Sequence, residues 1–130
     1  MTTWNSVADY VRSNYQVSDE SPNRIKLVFE VADMRTQVVF LWRQLLLDGT
    51  EEWLQIESPV GRVDSMNLRT VLDEVGAMVC GGAAIMDGVL FIRQAMPISN
   101  LEINEFERPL RLVTSSADAL ERKFVGGDEF

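Results

Sequence analysis

The chain has 130 residues, 46% hydrophobic and 25% charged, which is the make-up of one globular domain that buries a core without a metal or a disulfide. Twelve Lys and Arg against twenty Asp and Glu leave a formal net charge of −8, which disfavours nucleic-acid and anionic membrane surfaces and suits basic partners. There is no His, and Cys80 is the only Cys, which removes the commonest general base, the commonest metal ligand and any internal disulfide.

The first element is a predicted helix over about 3–15. Trp4, Val7, Ala8 and Val11 recur at helical spacing, with Thr2 or Thr3 as the cap. The polar stretch QVSDESPNR reads as a loop turning at Pro22-Asn23. RIKLVFEV then alternates, with Ile25, Leu27, Phe29 and Val31 on one face, the pattern of a half-buried strand. A second strand, QVVFLWRQLLL, is apolar at both parities. Val39, Leu41 and Leu45 share one face, and Val38, Phe40, Trp42 and Leu46 share the other. A hairpin turn on Asp48-Gly49 leads into EWLQIESPV, a third strand ended by Pro59 and Gly61.

VDSMNLRTVLDEVG is a second helix, capped by Asp64 or Ser65 and striped by Leu68, Val71, Leu72 and Val75, with Gly76 at its C-terminal stop. AMVCGGAAIM and VLFIRQAM form two strands joined by Asp87-Gly88, a strong hairpin signal. Gly81-Gly82 weakens the first of these strands and marks a bulge or the close approach of another backbone. Cys80, inside the same apolar run, reads as an inert core thiol. The last helix carries Ile103, Phe106, Leu110, Val113, Ala117, Leu120 and Phe124 at steps of three and four. Pro109 kinks it or marks its true start, and Gly126-Gly127 stop it. The order helix, three strands, helix, two strands, helix predicts an α+β fold with an antiparallel sheet and flanking helices, one domain over 1–125 and a flexible tail over 126–130.

The tail spells GGDEF, the signature of cyclases that join two GTP molecules. In that family the motif sits on a hairpin inside a longer domain, and its upstream phosphate- and metal-binding elements have no counterpart in this chain, so the match is one of letters. Gly81-Gly82 lacks a phosphate-loop pattern. The acidic pairs Glu51-Glu52, Asp73-Glu74 and Asp128-Glu129 read as solvated charge. Lys26 and Lys123, the only lysines, have no Ser in a recognisable catalytic motif. The expectation is a chain with no catalytic residues, cofactor or metal. The alternative is a small acidic enzyme or nucleotide-responsive regulator using the carboxylates. The N-terminus lacks the basic and apolar regions of a signal peptide, and no apolar run is long enough to span a membrane, so the expected location is the cytoplasm.

Phe40, Trp42 and Trp53 admit two readings, core or an apolar face left for a partner, and they are the partner-binding candidates. The element order, the acidic balance, RIKLVFEV, the MDGVLFIRQAMP hairpin and the long helix after SNLEINEF together resemble the type III secretion chaperone-like fold and its YbjN-like branch. That resemblance covers nearly the whole chain. It implies a non-catalytic protein- or peptide-binding homodimer, with Leu68, Leu72, Gly81 and Gly82 at the dimer interface.

Overall fold

A computed structural model describes residues 2–79 and 82–125. Helix α1 spans Trp4–Asn14. The Thr3 side chain accepts from the Ser6 backbone while the Ser6 side chain accepts from the Thr3 backbone, a reciprocal capping box that fixes where the helix begins. Its buried residues are the four expected from the spacing, Trp4, Val7, Ala8 and Val11. The chain then becomes extended at Tyr15 and enters β1, Val17–Ser21.

β1 corrects the expectation of a loop: the sheet has six strands rather than five. The Pro22-Asn23 turn is real, and Ser21 pairs with Arg24 across it. The strand was hidden because it lies at the sheet edge with Ser18, Asp19, Glu20 and Ser21 exposed, so it has no apolar alternation to announce it. Backbone pairing with β2 alone defines it.

β2 (Arg24–Val31), β3 (Arg35–Leu46) and β4 (Glu51–Arg62) continue as an antiparallel meander. A short turn at Ala32–Met34 joins β2 to β3, with Asp33 and Met34 at positive φ. The β3–β4 turn centres on Asp48-Gly49 as expected, but Leu47 also leaves strand geometry, with φ 52°. β4 does not stop at Pro59. It runs on to Arg62, with a register shift between Pro59 and Gly61 that accommodates the missing proline N–H.

Helix α2 is shorter than expected, Leu68–Gly76, because a single 3-10 turn occupies Val63–Ser65. Asn67 is the cap, its side chain accepting from the Thr70 backbone; neither Asp64 nor Ser65 serves. Gly76 is the last helical residue and Ala77 follows it in a right-handed conformation, so no glycine stop is used. β5 (Gly82–Met86) and β6 (Val89–Pro97) form the predicted hairpin, with Asp87 and Gly88 at φ 51° and 76°.

α3 spans Glu107–Leu120 and passes into one π turn, Glu121–Val125. Pro109 sits in the first turn, where a backbone N–H has no helical acceptor, so it marks the start of the helix rather than a kink. Ile103 lies before the helix. Phe106, Leu110, Val113, Ala117 and Leu120 are buried as the stripe requires. Cys80, Gly81 and the tail Gly126–Phe130 lie outside the described residues.

The fold is thus α+β, with three helices and one antiparallel sheet among the described residues, in the strand order β1-β2-β3-β4-β6-β5. The core lies on one face. Ile25 and Leu27 of β2, Val39 and Leu41 of β3, Leu54, Ile56 and Val60 of β4, and Leu90 and Ile92 of β6 form one cluster with the buried side chains of all three helices. Among the described residues, no helix is long and apolar enough to cross a membrane.

Candidate functional site

Because side chains alternate along a strand, the residues between those core positions must point to the opposite face. On β3 these are Val38, Phe40, Trp42 and Gln44. Register carries the same face across the sheet: Phe40 is opposite Glu57 and Lys26, Trp42 is opposite Gln55 and Arg24, and Gln44 is opposite Trp53. On β6, Arg93 stands beside Glu57 and Ala95 beside Gln55. Phe40, Trp42 and Trp53 therefore share one face, away from the helices, and each is half-buried.

Trp42, Trp53, Gln55, Glu57, Met86 and Arg93 line an open hollow of about 390 Å³ on this face. Glu57 forms its floor and is only 1% exposed. Its carboxylate accepts from the Trp42 indole at 2.7 Å, from Arg93 Nη2 at 2.8 Å and from Gln55 Nε2 at 3.3 Å. These donors satisfy the buried charge and fix the Trp42 ring, so the apolar wall is held by a polar floor. Arg24 lies over both Phe40 and Trp42, 5.4 and 5.7 Å from the ring centroids, and pairs with Asp19 at 2.5 Å. Phe91 extends the aromatic surface 6.4 Å from Phe40.

Glu57 and Arg93 were not singled out in the sequence. Glu57 shares parity with Trp53 and Gln55, and Arg93 shares parity with Phe91, so alternation assigns both to this face. That the two meet follows only from β6 pairing with β4, which skips β5.

The other candidates lie elsewhere. Leu68 packs half-buried against the core, and Leu72 on α2 is 42% exposed. Gly82 lies on β5, whose outer edge has no strand neighbour among the described residues. A Cβ at Gly82 would collide with the Arg93 carbonyl oxygen, so the close backbone approach it permits is to this chain's own β6. Of the acidic pairs, Glu51 accepts from the Trp53 indole, Glu52 pairs with Arg43, and Glu74 pairs with Lys123. Among the described residues, no group of three or more His, Cys, Asp or Glu side chains is placed to hold a metal ion.

The sequence matches no protein-family model, and no curated protein matches it.

Proposed function

We propose that the chain is a non-catalytic protein- or peptide-binding module, of the type III secretion chaperone-like kind and closest to its YbjN-like branch, acting as a cytoplasmic homodimer. The observation that carries this reading is the sheet face away from the described helices, where Phe40, Trp42 and Trp53 stay half-exposed around a hollow floored by Glu57. A monomeric fold gains by covering large aromatics, and rigid aromatics beside Arg are the groups that dominate protein contacts. The partner segment lies against this face, its apolar side chains in the hollow. Leu68, Leu72 and the β5 edge with Gly82 supply the two-fold contact, supported by the exposure of Leu72 and Ile85.

The test is selection of peptides displayed on phage against the purified chain. Enriched peptides should be rich in apolar residues and quench the tryptophan emission on binding. Their affinity for the Trp42→Ala variant should fall at least tenfold. No enrichment, or enriched peptides that bind Trp42→Ala equally well, would overturn the reading.

A further inference from the structure

We propose that the tip of the β3–β4 hairpin is a docking finger, which seats Leu45, Leu46 and Leu47 in an apolar slot edged by lysines or arginines on a protein partner. This goes beyond the sheet-face reading; Leu46 also lines the rim of the sheet-face hollow, whereas Leu45 and Leu47 do not. The hairpin overhangs the sheet. Backbone bonding of β3 toward the β2 side ends at Arg43, which donates to the Asn23 carbonyl, and that of β4 toward the β6 side ends at Glu52, which accepts from the Ile98 N–H, so Leu45 to Glu51 project past both neighbouring strands.

The overhang carries three consecutive leucines, 52%, 45% and 67% exposed. Consecutive strand residues face opposite ways, so a run of exposed leucines coats both sides of the tip. Leu47, Asp48 and Gly49 have φ of 52°, 56° and 84°. The left-handed region is uncommon for a leucine, which pays for it sterically and gains no burial in return. The turn does not require a leucine either. It is closed by the Gly49 and Thr50 backbone N–H groups donating to the Leu46 and Leu47 carbonyls, and by the Thr50 hydroxyl donating to the Leu47 carbonyl. A side chain held out at a local cost points to a contact outside the chain.

Charge selects the occupant. Asp48 and Glu51 flank the leucines, and neither forms an ion pair among the described residues. Glu51 meets only the neutral Trp53 indole, whereas the nearby Arg43 is engaged by Glu52. An apolar tip with an acidic rim complements an apolar slot with a basic rim. Two copies meeting tip to tip would bring four carboxylates together, and the same carboxylates oppose an anionic bilayer.

Fluorescence anisotropy with a labelled amphipathic peptide of Leu and Lys, and a Leu and Glu control, tests this. The chain should bind the Lys peptide at least tenfold more tightly than the Glu peptide. The double variant Leu45→Ser, Leu47→Ser, which leaves Leu46 at the rim of the hollow, should keep its thermal midpoint and lose at least tenfold in affinity. Asp48→Lys with Glu51→Lys should lose as much. Trp42→Ala, which alters the sheet face but leaves the tip, should retain binding. Equal binding by the double-serine variant overturns the finger, and equal loss in Trp42→Ala reassigns the peptide to the sheet face. Leucine-dependent sedimentation with phosphatidylcholine vesicles in place of peptide binding, or leucine-dependent self-association in light scattering, overturns it in favour of lipid or of a second copy.

Discussion

Tyr15 follows α1 and inserts its ring between Tyr10 and Phe29, edge-on to both at 6.4 and 5.5 Å. Burial, with the nearby Glu107 carboxylate adding to it, raises its pKa from 10.0 to about 12. Tyr10 donates to Glu107, and that hydrogen bond raises its pKa as well. The folded chain therefore holds the Tyr15 proton more tightly than the unfolded chain does. Its contribution to stability is complete below pH 10 and is lost as pH rises from 10 to about 12. Urea midpoints should fall through that window, and Tyr15→Phe should flatten the fall. Tyrosinate absorbance should show both tyrosines titrating above the ordinary value, with Tyr15 near pH 12; if both titrate together near pH 10, the buried setting of Tyr15 is wrong.

At the scale of the element, α3 joins a legible stripe to an illegible cluster. The steps from Phe106 to Leu120 identify its core face from sequence alone. Asp118 and Glu121 are also buried, and nothing in their spacing says so. Their burial depends on Arg35, at the start of β3, which reaches Asp118 at 3.1 Å and Glu121 at 3.2 Å. That contact spans more than eighty residues, so no local pattern reports it. Arg35→Ala removes the guanidinium shared by two buried carboxylates, with Asp118 keeping its 3.9 Å pair to Arg122, and should cost about 3–5 kcal/mol in denaturant unfolding. Arg35→Lys should recover only part, because an ammonium cannot serve both carboxylates in the planar geometry of a guanidinium. The same distinction between local and distant explains what the sequence hid elsewhere. Asp87-Gly88 and the capping residues of α1 act over a few positions and could be read directly. β1 and the Glu57–Arg93 pair come from strand pairing, which no window of the sequence contains.

At the scale of the whole molecule, the two ends of the sheet are unlike. β1 guards its edge with Asp19 and Glu20, a common protection against unwanted strand pairing. β5, with the sequence GAAIM, has no charge, and Ile85 on it is 50% exposed, as is Leu72 at 42% on the neighbouring helix. In the proposed homodimer this is the edge that joins. Light scattering at micromolar concentration should give twice the chain mass, and Ile85→Lys should reduce it to the monomer with the fold intact. A wild-type monomer across that range would remove the dimer from the proposal and leave the sheet face to be judged alone.

The strand order has a further consequence, for synthesis on the ribosome. The β1–β4 meander is complete once Arg62 has emerged, yet α3, which covers much of its apolar face, comes from the far end of the chain. At ordinary translation rates the wait for α3 is on the order of 3 to 12 seconds. Throughout it the nascent sheet carries Leu27, Leu41 and Ile56 without that lid, so the sticky period of this protein's life is set by the order of elements along the chain, not by folding speed.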